Sequence, residues 1–164
     1  MGYRTYKGLK DNTKFSVFLI HGKGDDYKKV KKFIESKLQF EVRAIVDEFG
    51  NETIFKQVRD AISDCDCAVA IMSADDILAD GTKYARPNVT LEIGYTIGFF
   101  DLLYWDDDKL VPVVILRDKE AYIPSDLSGV KYRQYDNTIG IESVFDDLEQ
   151  TLEGIFKSIK KYYK

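Results

Sequence analysis

A chain of 164 residues with 45% apolar and 32% charged side chains is long enough for one domain with a substantial core and too short for two of ordinary size. That composition excludes disorder as the default, and a formal net charge of −4 argues against a generic nucleic-acid surface, which needs a basic excess to gain from counterion release. Two cysteines, Cys65 and Cys67, and a single histidine, His21, are too few for a structural zinc site, so no metal is expected and the thiols read as free and buried in a reducing, cytoplasmic setting. The N-terminus lacks the charged and apolar regions of a secretory signal, and the most apolar stretch, 93–105, is interrupted by Asp101 and too short to span a bilayer.

In chain order, residues 1–14 follow neither structural period and read as a leader or linker, leaving 15–164 as a single domain. Phe15 to Ile20 is nearly continuous in apolar residues, as a strand covered on both faces of a parallel sheet should be. It runs into the glycine loop His21-Gly22-Lys23-Gly24, with Asp25 and Asp26 as caps for a helix whose stripe is Val30, Phe33, Ile34 and Leu38. This loop offers backbone N–H groups to a phosphate, yet it matches neither of the standard phosphate-loop patterns. For His21 the plain reading is a ring satisfied by neighbouring backbone at the strand end, and the other is a nucleotide contact.

A second strand is expected over 41–46, then a loop at 47–52 whose Phe49 reads equally as a ring to stack on a flat ligand or as an ordinary loop aromatic tucked onto the domain, then a helix opened by Thr53. Cys67 to Met72 forms the third strand. Asp75 and Asp76 after it read as helix-starting caps. A phospho-acceptor receiver domain is excluded, because the first strand ends in His21-Gly22 rather than in an acidic pair that would hold magnesium. Residues 77–87 read as a polar approach with Lys83 and Arg86 as its basic members. The fourth strand is expected over 110–116, a short edge strand over 132–135, and a final helix from about Ile141 carrying Val144, Leu148, Leu152, Ile155 or Phe156, and Ile159. Strands alternating with helices at this spacing give an α/β fold: a flavodoxin-like, five-stranded, mainly parallel sheet of order 2-1-3-4-5 with helices on both faces. In such sheets the ligand crevice lies outside the carboxyl ends of the strands.

The helix between the third and fourth strands begins Arg86-Pro87-Asn88-Val89, and its apolar residues Val89, Ile93, Ile97 and Phe100 recur at helical spacing. Glu92 is therefore an acid inside an apolar helix, where a carboxylate is costly unless paired or used. Gly94 and Gly98 each weaken that helix by roughly 1 kcal/mol relative to Ala, which suggests a close approach by backbone or ligand. These residues carry a resemblance. Arg86-Pro87-Asn88-Val89, Leu91-Glu92-Ile93-Gly94-Tyr95 and Ile97-Gly98 are similar to the helix signature of bacterial TIR-like nucleotide-binding domains, R-x-N-V-x-x-E-x-G-x-x-x-G. Three further segments agree in the same order, at 17–22, 68–76 and 123–130, so the resemblance spans about residues 15 to 135.

The resemblance implies a TIR fold and an NAD-cleaving activity of the cyclic-nucleotide antiphage defence type, with Glu92 at the catalytic position. It implies Ser73 and Asp75 as pocket-lining positions and adds weight to His21 and Gly22. Arg86 and Asn88, within about a helical turn of Glu92, are placed to orient it or to hold a ribose hydroxyl. The loop at Asn51-Glu52 departs from the family, which usually carries a Gly-Arg or similar pair there, and so weakens any phosphate contact from it. Cleaving the nicotinamide–ribose bond needs little acid catalysis, since the pyridinium leaves as a neutral base; one carboxylate beside the oxocarbenium-like carbon suffices. NAD+ is then a substrate with no further cofactor, and the expected partners are a homo-oligomer formed on activation and a cyclic-nucleotide sensor. The alternatives are a non-enzymatic nucleotide-binding or self-assembly module, and an enzyme like the nucleoside deoxyribosyltransferases, which also sets a Glu at an anomeric carbon.

Overall fold

The computed structural model describes residues 14–45, 53–104, 110–127 and 129–160. Eight strands occur among them: β1 (Ser16–Ile20), β2 (Glu41–Ala44), β3 (Cys67–Met72), β4 (Asp76–Ile77), β5 (Lys83–Tyr84), β6 (Val113–Asp118), β7 (Ala121–Tyr122) and β8 (Tyr132–Tyr135). The helices are α1 (Asp26–Phe33), α2 (Ile54–Asp64), α3 (Pro87–Leu103) and α4 (Phe145–Lys160). Five strands form one sheet of order β2-β1-β3-β6-β8 in which every pairing is parallel, so the expected order 2-1-3-4-5 holds once the five long strands are numbered by themselves.

Position in that sheet follows burial. All six residues of β3, Cys-Ala-Val-Ala-Ile-Met, are buried, which only an internal strand covered on both faces permits. In β8 Tyr132 and Gln134 are exposed while Tyr135 is buried, the alternation of an edge strand. Helices α1 and α4 lie on one face, joined by Phe33 stacked on Phe145 at 4.3 Å, with Arg133 of β8 donating to Thr151 of α4 at 3.0 Å. Helices α2 and α3 pack on each other and on β1 and β3, covering the other face.

The α1 stripe docks through buried Val30 and Ile34, with Phe33 and Leu38 partly buried; its last turn widens into a π-helical turn, Ile34–Leu38, and ends at Gln39 with φ 59°. Asp25 occupies the N-cap position of α1 but makes no capping bond; its carboxylate pairs instead with Lys28 at 2.6 Å. Thr53 does cap α2, its hydroxyl accepting from the Lys56 N–H at 3.4 Å, and Val58, Ala61 and Ile62 turn inward. The final helix is preceded by a 3-10 turn at Ile141–Val144, and Leu148, Leu152 and Ile159 are fully buried.

Residues 77–87 are not a plain loop. Strand β4 pairs antiparallel with β5, and β5 pairs parallel with β7, making a small second sheet to which the segment linking β3 to α3 contributes two strands. Strands of two residues carry no periodic signal, and this sheet forms because β7, nearly forty residues later in the chain, returns alongside β5. Cys67 lies in β3 as expected, whereas Cys65 ends α2; both thiols are free and buried. No described helix is long and apolar enough to cross a membrane.

Candidate functional site

The carboxyl ends of β1 and β3 lie side by side, and the first candidate residues meet there. The His21 ring stacks on Tyr27 of α1, with centroids 3.9 Å apart and an interplanar angle of 8°. Its Nδ1–H donates to the Gly22 carbonyl at 2.8 Å, since a carbonyl can only accept. In the neutral ring Nε2 is then an acceptor, and it is buried without a hydrogen-bond partner among the described residues. Both readings of His21 therefore hold in part: one nitrogen is satisfied by neighbouring backbone and the other is left for something else.

Gly22 is packed against β3's carboxyl end. A Cβ at this position would lie 2.0 Å from Oδ2 of Asp75 and 3.5 Å from Oγ of Ser73. The Ser73 hydroxyl donates to that same Asp75 oxygen at 3.0 Å, and the Asp75 N–H donates to the Ser73 carbonyl at 2.9 Å. Asp75 and Asp76 cap no helix: Asp76 opens β4, and Asp75 turns back onto Gly22 and Ser73. The cap reading fails because the chain enters an extended hairpin after β3 before any helix begins.

The second group of candidates lies on the start of α3. Arg86 is the N-cap residue and Pro87 follows in the first turn. The Arg86 guanidinium makes no ion pair among the described residues, whereas Lys83, the other basic member of the approach, is held by Glu120 at 2.6 Å. Asn88 is exposed and Glu92 half-buried, and at i, i+4 they share one flank of the helix. The buried face of α3 is Val89, Ile93, Thr96 and Phe100. Thr96 takes the place expected for Ile97, which is only partly buried; its hydroxyl donates to the Glu92 carbonyl at 2.7 Å, so its polar atom is satisfied within the helix.

The expected close approach at Gly94 and Gly98 does not occur within the chain. A Cβ at either position would meet no atom within 4 Å, and both glycines are exposed, in line with Leu91 and Leu102. Phe49 and the Asn51-Glu52 pair lie outside the described residues, as do most of residues 1–14. The described residues contain no cluster of three or more His, Cys, Asp or Glu side chains arranged to hold a metal ion.

Two residues of this edge were not singled out from the sequence. Tyr27 covers His21, and Tyr135, 2% exposed, closes β8 with its hydroxyl buried and unpartnered among the described residues. Burial pushes the phenol pKa up, and the carboxylates of Asp26, Asp118 and Asp75 push it further. The alternation of β8 puts Arg133 and Tyr135 on one face, and that was the available signal for Tyr135.

The described protein is similar to several known ones. The family model for the TIR domain of the CAP12/Pycsar effector protein matches residues 16–137, a span that holds every candidate site residue named above. Uncharacterized protein YuaY of Escherichia coli (strain K12) is 30% identical over 128 residues, covering 73% of this chain and 40% of the relative. Protein tirC of Dictyostelium discoideum is 33% identical over 140 residues, covering 76% of this chain and 66% of the relative. The chain thus spans less than two thirds of the length of either relative. Among solved structures, the Clostridium botulinum CMP N-glycosidase BcmB matches with a TM-score of 0.49 and 20% identity, over 82% of this chain and 98% of that one.

Proposed function

The chain belongs to the TIR-domain family of CAP12/Pycsar effector proteins, and from that premise we propose that it hydrolyses NAD+ at the nicotinamide–ribose bond, releasing nicotinamide and ADP-ribose. The observation that carries the reading is Glu92, a half-buried carboxylate on the flank of a largely apolar helix that begins in the segment following β3 and its hairpin. The departing nicotinamide is neutral and needs no proton, so the demand on the protein is a single negative charge beside a carbon that becomes cationic. Asn88, one turn earlier on the same flank, is in place to hold a ribose hydroxyl. Arg86, without an ion-pair partner among the described residues, is in place to steer the anionic part of the ligand. His21, Gly22, Ser73 and Asp75 line the neighbouring end of the crevice, and NAD+ enters as substrate with no further cofactor.

On this reading the biological output is NAD+ depletion by a cytoplasmic antiphage effector. Its trigger is a cyclic-nucleotide sensor, and its active form a homo-oligomer. The test is nicotinamide release from NAD+ by the purified protein at high concentration, with Glu92→Gln in parallel and circular dichroism to establish that both are folded. Release that falls by about a hundredfold or more in the variant is the expected result. A variant as active as the parent overturns the role of Glu92. A parent that binds NAD+ by calorimetry without releasing nicotinamide would instead be a binding module.

A further inference from the structure

Two buried polar atoms at the carboxyl edge of the sheet, Nε2 of His21 and the hydroxyl of Tyr135, have no hydrogen-bond partner among the described residues. Leaving a buried donor or acceptor unmade is costly, and native proteins rarely do so without a use for the group. Tyr135 is paired in register with Asp118, so the two side chains project to the same face of the sheet. The start of α1 reaches the turn beyond β8, where Lys29 pairs with Glu142 at 3.1 Å, and the carboxylates of Asp26 and Asp75 act on the phenol. The next residue of α1, Tyr27, is stacked on His21, and the Asp75 carboxylate packs against Gly22. The two unpartnered atoms therefore belong to one corner of the crevice, one an acceptor and the other a hydroxyl that stays protonated and donates.

We propose that Tyr135 and His21 form a recognition point for the neutral ribose hydroxyls of a bound nucleotide, and that this corner of the crevice excludes phosphate. The inference rests on the reading that the crevice takes a nucleotide, and adds the polarity of one end of it. A sugar hydroxyl gives one hydrogen bond and accepts others, so it satisfies Nε2 as a donor and the Tyr135 O–H as an acceptor. Phosphate can do only the second, and it would be repelled by the carboxylates of Asp26, Asp75 and Asp118, which already act on the phenol. Lys29 offsets Asp26 in part, at 3.4 Å, but is shared with Glu142 at 3.1 Å. At Gly22 the glycine loop offers phosphate no cradle either, because its open side is filled by the Asp75 carboxylate. Tyr27, partly exposed on the first turn of α1, stacks on the imidazole and holds its plane.

The experiment is calorimetric titration of the full chain with nicotinamide riboside and, separately, with inorganic pyrophosphate. The riboside should bind and pyrophosphate should not. Tyr135→Phe, which removes only the oxygen, should weaken the riboside roughly threefold to tenfold, the value of one hydrogen bond. Its melting temperature should be unchanged or raised, since an unpaired buried hydroxyl has been deleted. His21→Phe keeps a flat ring for Tyr27 and should show the same loss of affinity. Riboside binding that is absent from the parent, or unaltered in both variants, overturns the proposal; so does pyrophosphate binding as tight as the riboside's, or an affinity loss that merely tracks a fall in melting temperature. The hydrolase reading fails separately. A parent that binds riboside through Tyr135 and releases no nicotinamide sinks hydrolysis alone, and one that releases nicotinamide while Tyr135→Phe binds normally sinks this subsite alone.

Discussion

Replacing Gly22 by Ala tests whether the corner between β1 and β3 is assembled by close packing or by glycine's backbone freedom. Gly22 does not have a positive φ, so alanine is compatible with the backbone itself. The added methyl, however, would lie 2.0 Å from Oδ2 of Asp75. Asp75 must rotate away, which breaks its 3.0 Å bond from the Ser73 hydroxyl, worth about 1 kcal/mol. Overpacking adds roughly 1–3 kcal/mol. The total, about 3 kcal/mol, corresponds to a melting temperature lowered by roughly 6–12 °C in a chain of this size. Asp75→Ala removes the obstructing carboxylate, and in that background Gly22→Ala should cost less than about 1 kcal/mol, or stabilise slightly by restricting the unfolded chain. Thermal unfolding of the four proteins in the double-mutant cycle gives the coupling directly. An equal loss in both backgrounds would show that the carboxylate is not what excludes a side chain at this position.

Gly94→Ala and Gly98→Ala should each stabilise the protein by up to about 1 kcal/mol, because both positions are exposed in the interior of α3 with open space around them; a lower melting temperature for either would refute this. Hydrogen bonds from Lys119 and Thr138 hold the Asp136 carboxyl down at about 2. A folded pKa below the unfolded value contributes stability that is present above about pH 4 and lost as pH falls through 2. Asp136→Asn should therefore flatten the acid limb of the stability curve between those limits, and an unchanged limb argues against the ion pair. Burial raises the Cys65 thiol to about 12. Its contribution is complete below the unfolded pKa near 9 and is lost as pH rises from there towards 12, so native protein at pH 8 should leave an aromatic disulfide reagent unreacted until it unfolds.

Legibility in the sequence divided along the range of the contacts involved. Val17 to Ile20 and Cys67 to Met72 are continuous apolar runs because they are covered on both faces, so their place inside a parallel sheet follows from local composition. The same holds for the stripes of α1, α2 and α4, where one helical face suffices to assign the buried residues. On α3, nearly apolar all round, composition alone leaves the choice between Thr96 and Ile97 open, and the packing of the helix on β1 and β3 decides it.

The sequence by itself determined the α/β class and the strand order, and with them that His21 and Ser73 follow the carboxyl ends of neighbouring strands, because each rests on periodicity and on how parallel strands must be connected. Only the tertiary structure decided that Gly22 faces the Asp75 carboxylate, that Asp75 caps no helix, that Gly94 and Gly98 are open, and that Tyr135 rather than Tyr132 carries a buried hydroxyl. These are meetings of residues tens of positions apart. Their energies depend on which surfaces the folded sheet brings face to face, and no local pattern of apolar and polar residues records that.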